Sequence, residues 1–267
     1  MTRSDPLDLP TWDPDQYARF EAQRDRAALD LLLRLPGDLQ PREIRDLGCG
    51  AGQHAALLKR RHPGAMVHGL DSSTAMIERA RARPEAVEWS VGDIASWRPE
   101  RPVDLIFANA SLQWLDDHEG LFDRLAGALA PGGVLAAQMP MAHETVHHTI
   151  LREVASEGPW AATLKGVETI RPLLEASAYY DVLARTCGEI DIWSTTYLQA
   201  LTGEDAVLEW MKGTALRPFL TALEGDPMRE AFLDALGAAL SRAFPRRADG
   251  TTLMPFPRLF LVARRAV

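Results

Sequence analysis

The 267 residues are 46% hydrophobic and 25% charged, the make-up of a globular chain able to bury one elaborated α/β core. Its 29 basic and 37 acidic side chains leave a net charge of −8, which repels a phosphate backbone and argues against nucleic acid as partner. Two cysteines, Cys49 and Cys187, give no disulfide framework, no apolar run approaches the ~20 residues that span a bilayer, and MTRSDPLDLP has no signal-peptide core. The expectation is a cytoplasmic protein with no membrane segment and no obligate protein partner.

Trp12-Asp13-Pro14-Asp15-Gln16 reads as a helix start: Asp13 caps, Pro14 suits the first position and Gln16 reaches back. That helix runs towards Leu35 and stops at Pro36-Gly37. Strands are expected over 43–46, 66–71, 87–91, 103–109 and 134–139. Helices over 53–61, 74–82 and 118–130 alternate with them, the last ending at Pro131-Gly132-Gly133. Such alternation predicts a parallel, Rossmann-like α/β sheet that binds ligands at the carboxyl ends of its strands. Asp46, Asp71, Asp93 and Asn109 all fall at or just past such ends.

Beyond residue 140 the pattern loosens to a helix over 145–156, an irregular stretch over 158–171 and a helix over 173–185. A sixth strand is expected over 189–197 and a seventh over 258–263. The mainly helical residues 198–257 between them are placed to build a substrate lid. Residues 1–140 then hold a cap helix and the cofactor core, and 141–267 the rest of one integrated domain.

The loop Asp46-Leu47-Gly48-Cys49-Gly50-Ala51-Gly52 is the most informative segment, followed by Gly69-Leu70-Asp71. Glycines at a strand-to-helix turn let a ligand approach the backbone, and an acid ending the next strand can accept from both ribose hydroxyls. A dinucleotide fingerprint needs a glycine where Gln53 stands. The spacing G-x-G-x-G after an acid instead resembles class I S-adenosylmethionine-dependent methyltransferases. Cys49 reads as a small side chain filling the turn rather than as a nucleophile.

Several further segments resemble the trans-aconitate methyltransferases over nearly the whole chain. They are Trp12-Asp13-Pro14-x-x-Tyr17, Phe107-Ala108-Asn109-Ala110-Ser111-Leu112-Gln113-Trp114, Asp191-Ile192-Trp193-x-Thr195-Thr196-Tyr197, Gly213-Thr214-Ala215-Leu216-Arg217-Pro218 and Phe256-Pro257-Arg258-Leu259-Phe260. One departure stands at Met141-Ala142, where that family commonly shows an Asp-Asn-like pair. The resemblance implies a seven-stranded sheet whose last strand is antiparallel, and methyl transfer from S-adenosylmethionine to one carboxylate of trans-aconitate. Asp46 would face the methionine end of the cofactor, Asp71 the ribose, and Asp93 with Ile94 the adenine. Gly48, Cys49, Gly50, Ser72, Met76 and Asn109 would complete that site. A carboxylate is already ionised at neutral pH, so no catalytic base is nominated.

A small polycarboxylate inside an acidic protein needs local cations, and arginine binds carboxylates bidentately. Arg217 and Arg258 are the candidates, with Trp12, Tyr17 and His143 beside them. Other small polycarboxylic acids remain alternatives. A different class is raised by His143-Glu144-Thr145-Val146-His147, which matches the zinc-peptidase pattern H-E-x-x-H. Its extended form fails at Ile150 and Glu153, a third ligand such as Glu168 lies across an irregular stretch, and no metal is expected. A non-catalytic S-adenosylmethionine-binding module is the third reading, and the second-ligand character of the insertion speaks against it.

Overall fold

The runs of valine, isoleucine, leucine and alanine at 103–109 and 134–139 become central strands buried on both faces, as a parallel sheet requires. The computed structural model describes residues 21–167 and 170–267, so the expected helix start at Trp12–Gln16 lies outside the described residues. The chain divides into two units. One comprises Ala22–His143, Arg171–Tyr197 and Pro255–Val267, and the other, among the described residues, Glu144–Ile170 and Leu198–Met254.

The first unit opens with α1 (Glu21–Leu33), then β1 (Glu43–Leu47), α2 (Gln53–Arg61), β2 (Met66–Asp71), α3 (Thr74–Arg81) and β3 (Glu88–Val91). It continues through β4 (Val103–Asn109), α4 (His118–Gly127) and β5 (Leu129–Pro140). After α5 (Val146–Ser156) and α6 (Ala161–Leu164) of the other unit come α7 (Ala176–Leu183) and β6 (Cys187–Thr202). Helices α8 (Ala206–Lys212), α9 (Arg217–Ala222) and α10 (Arg229–Ala243) precede β7 (Thr251–Arg265).

The seven strands lie in the order β3-β2-β1-β4-β5-β7-β6. Strands β1 to β5 pair in parallel, and β7 runs antiparallel to β5. This is the arrangement that the resemblance implies. Alternate residues of β4 and β5 feed opposite cores. Ile106, Ala108, Leu135 and Ala137 pack with Leu121, Phe122, Leu125 and Tyr179, all nearly or fully buried. Leu105, Phe107, Val134 and Ala136 pack on the other face with Ala28, Leu31, Ala55 and Leu58.

Several expected boundaries move, and those of α4, β6 and β7 have a physical reason in the sheet. Helix α4 ends at Gly127 rather than running to residue 130, because Val103 N donates to Ala128 O at 3.0 Å and Leu129 pairs with Val103. The backbone is thus claimed by the sheet before Pro131-Gly132-Gly133, which is absorbed as an irregularity between the Val103 and Leu105 pairings. Strand β6 extends to Thr202 because Tyr197, Gln199 and Leu201 are buried while Leu198, Ala200 and Thr202 are exposed, the period of a strand. Strand β7 begins at Thr251, ahead of Pro255 and Pro257, and the Pro257 carbonyl still accepts from Met141 N at 3.0 Å.

In the helical unit α5 packs against α10. Trp160 and Phe219 each meet Phe232, and the Trp160 indole donates to Val154 O at 2.7 Å. Among the described residues no helix is long and apolar enough to cross a membrane.

Candidate active site

The turn after β1 takes its shape from its glycines. At Gly48 φ is +76°, and a Cβ there would lie 2.2 Å from the Ser111 Cβ, so only glycine lets the two segments meet. Gly50 also has positive φ, at +54°, yet nothing lies within 4 Å of where its Cβ would be. That is an open cradle beside bare backbone. The loop is anchored from below, where Leu70 O accepts from Gly48 N at 2.7 Å and Cys49 N at 3.0 Å. Ser111 closes it by donating its hydroxyl to Leu47 O at 2.7 Å.

Asp71 ends β2 beside this cradle. One carboxylate oxygen accepts from Gly50 N and the other from Ser73 N, both at 2.9 Å. Burial nevertheless raises its pKa, the two backbone donors opposing the shift. Asp46 is 1% exposed, and its Oδ2 has no partner among the described residues. Burial pushes its carboxyl up to about 7, with His54 opposing and Asp71 adding to the rise. Burial and these two acids also push the Cys49 thiol well above its usual range, so it is held protonated and is no nucleophile.

Ser72 is exposed next to Asp71, while Met76 is buried, its N–H received by the Ser73 hydroxyl at 3.3 Å. Asp93 is exposed and accepts from Ala95 N at 2.8 Å, a turn-capping bond, and the adjacent Ile94 is buried. Asn109 ends β4 with a buried Oδ1 that has no partner among the described residues. The chain turns sharply after it: Ala110 adopts φ +53° and donates its N–H to Gln138 O at 2.8 Å. Two orphaned acceptors, Asp46 Oδ2 and Asn109 Oδ1, therefore lie near the loop whose Gly50 leaves room for a ligand. Acceptors of this kind fit the ammonium of a methionine tail, and the remaining acceptor capacity of Asp71 fits ribose hydroxyls.

Arg258 begins the part of β7 that faces the end of β5, in register with Pro140. It is 5% exposed, stacks over the Phe256 ring at 4.5 Å and places Nη1 3.4 Å from Gln138 Oε1. His143 is half-buried in the same unit. Arg217 belongs to the other unit, where with Lys212, Thr221, Glu224 and Arg229 it lines a cavity of about 380 Å³. Trp12 and Tyr17 lie outside the described residues. Ser111 and Gln113 stand in the quoted segment 107–114 without a role of their own, and Gln138 had none either. The visible signal was Gln138, a lone amide in the apolar run Val134–Pro140.

The H-E-x-x-H match does not form a helical face. Helix α5 starts at Val146, so His143 and Glu144 precede it. His147 is buried, its Nε2 lies 3.2 Å from Thr145 Oγ1, and burial beside His148 pulls its pKa down to about 3. Among the described residues no group of three His, Cys, Asp or Glu side chains is placed to hold a metal.

Residues 44–133 match a methyltransferase domain. A trans-aconitate 2-methyltransferase from Azoarcus sp. is 48% identical over 257 residues, covering 96% of this chain and 100% of that relative. The chain belongs to the trans-aconitate 2-methyltransferase family. It is an S-adenosylmethionine-dependent methyltransferase acting on a small molecule. The YcgJ protein of Bacillus subtilis shares its fold at a TM-score of 0.57 and 15% identity, over 91% of this chain and 99% of that one. A phosphoethanolamine N-methyltransferase 2 from Haemonchus contortus, solved with S-adenosyl-L-methionine, does so at 0.53 and 21%, over 90% and 52%.

Proposed function

We propose that this methyltransferase esterifies one carboxylate of trans-aconitate to the monomethyl ester, in the cytoplasm and without an obligate protein partner. The observation that carries the reading is Arg258, a guanidinium buried to 5% exposure at the carboxyl end of the sheet. A buried arginine fits a ligand with several carboxylates, one held and another free to react. The name of the Azoarcus relative supplies the acid.

When bound, S-adenosylmethionine supplies a methyl group activated by its sulfonium. Asp46, Gly48, Cys49, Gly50 and Asn109 are assigned to its methionine end, Asp71 and Ser72 to the ribose, and Met76, Asp93 and Ile94 to the adenine. The acid is assigned to Arg258, with His143, Arg217, Trp12 and Tyr17 as further contacts. The reacting carboxylate needs no base, so the residues of this chain have two tasks. Arg258 holds the acid so that one oxygen is aligned for attack, and the buried surroundings of Asn109 and Gln138 keep water from that oxygen.

The test is to incubate the enzyme with radiolabelled cofactor and trans-aconitate, cis-aconitate or citrate, then treat the product with mild base. A base-labile ester formed preferentially from trans-aconitate is expected. Arg258→Leu should lower kcat/KM roughly 10–100-fold, the scale of a hydrogen bond to a charged group, with S-adenosylhomocysteine binding unchanged. A base-stable product, or no transfer to any of the three acids, would refute the reading.

A further inference from the structure

Alternation along the strands puts Asp46, Asn109, Gln138 and Arg258 on one face of the sheet, the face that Ile44 and Phe107 line deeper down. Asn109 and Gln138 are direct register partners on β4 and β5. Gln138 pairs with Phe260, so Arg258 is its diagonal neighbour on β7. The four residues make a polar row across β1, β4, β5 and β7.

The row has opposite hydrogen-bonding character at its two ends. Asp46 Oδ2 and Asn109 Oδ1 are acceptors without partners among the described residues, whereas Gln138 Nε2 is a donor without one. Gln138 is fully buried, and a buried amide donor left unmade is costly. Its orientation is fixed by chemistry rather than by choice. Arginine only donates, so the atom facing Arg258 Nη1 at 3.4 Å must be the amide oxygen. The NH2 group is thereby turned away from Arg258 and left for an acceptor. Two strand spacings, about 10 Å, and a two-residue offset in register separate Gln138 from Asp46, which puts this donor beyond an ammonium held at Asp46.

We propose that Gln138 is a specificity-determining residue: its Nε2 donates to a non-reacting carboxylate of the acid, while Arg258 holds its Oε1. The proposal rests on the polycarboxylate reading above. It explains why an amide stands in an otherwise apolar run. A carboxylate there would neutralise Arg258 and repel the acid, and an apolar side chain would leave Arg258 without that acceptor.

The test compares Gln138→Leu with the unaltered enzyme on trans-aconitate and on mesaconate, glutaconate and itaconate, each of which lacks a different one of its three carboxylates. The readouts are KM for trans-aconitate and inhibition constants for the three dicarboxylates. Expected is a loss of about 10–100-fold for trans-aconitate, a similar loss for two dicarboxylates, and none for the one missing the carboxylate that Gln138 reads. S-adenosylhomocysteine affinity should stay within about twofold. Equal losses for all four acids, no loss for any, or a parallel loss of S-adenosylhomocysteine binding would each overturn the proposal. Should the leucine variant not fold, Gln138→Glu keeps the shape and should weaken trans-aconitate at least as much. The two readings fail separately. An unaltered enzyme that forms no ester sinks the polycarboxylate reading, whereas an active enzyme whose Gln138 variants keep their KM sinks this one.

Discussion

Asp46 and Arg258 are 1% and 5% exposed in the sheet unit, whereas Lys212, Arg217 and Arg229 in the helical unit are half-buried around a cavity. Both units gather charge, but under different rules. In the sheet unit Asp46 and Arg258 are buried among fixed neighbours, so burial sets the protonation of Asp46 and the aim of both. In the helical unit the cations are half-buried, Lys212 is paired with Glu209 at 2.7 Å, and partial contact with solvent screens the group. The first arrangement suits one ligand of fixed shape, the second a surface that attracts an anion.

Breaking the loop should have the largest effect. Gly48→Ala forces a Cβ into Ser111 and should abolish S-adenosylhomocysteine binding together with a large fall in thermal midpoint. Gly50→Ala meets no neighbour, so it should lower stability by only about 1–2 kcal/mol for the left-handed backbone while still weakening the ligand more than tenfold. Calorimetry and thermal melts on the pair check this. Equal melting losses would mean that the cradle at Gly50 is not open space for a ligand.

Titration should give the next effect. The folded pKa of Asp46 is raised from 3.8 to about 7, so the apo protein binds a proton that the unfolded chain releases. This contribution lowers stability as pH rises from about 4 to about 7. Binding an ammonium requires the ionised form, so S-adenosylhomocysteine affinity should climb up to about tenfold per pH unit towards pH 7 and then level. Asp46→Asn should flatten the climb. An unaltered profile in that variant would detach Asp46 from the cofactor.

The smallest effect belongs to the half-buried cations of the helical unit. Arg217→Leu or Arg229→Leu should raise KM for the acid by roughly 3–10-fold, fading at high salt, with no change in S-adenosylhomocysteine binding. A salt-independent loss as large as that of Arg258→Leu would erase the distinction between the two units.

How far these differences were legible in the sequence follows the same division. Gln53–Arg61 was readable to the residue, because a glycine turn precedes it and three basic residues fill its last turn. The glycine loop and the place of Asp71 at the end of β2 were readable because a tight strand-to-helix turn leaves few residue choices. The end of α4 was not, since Pro131-Gly132-Gly133 looks like a helix stop and only the pairing of Leu129 with Val103 reveals a strand with an irregularity. The reach of β6 was hidden by Leu198-Gln199-Ala200-Leu201, residues of helical preference overridden by sheet pairing. Gln138 escaped because its contact with Arg258 joins residues 120 positions apart in the chain.

Ala110 carries a consequence of its own. It holds a left-handed backbone without being glycine, at a standing cost of about 1–2 kcal/mol. In exchange the chain turns so that Asn109 stays at the strand end and the Ser111 hydroxyl reaches Leu47 O beneath the loop. A lineage selected for heat resistance alone gains by relaxing that turn, and glycine is one substitution away. Glycine would also release the turn to wander in the native state, loosening the ligand loop from above. Durability and precision therefore pull this single position in opposite directions, and the alanine found there marks the side on which this chain has settled.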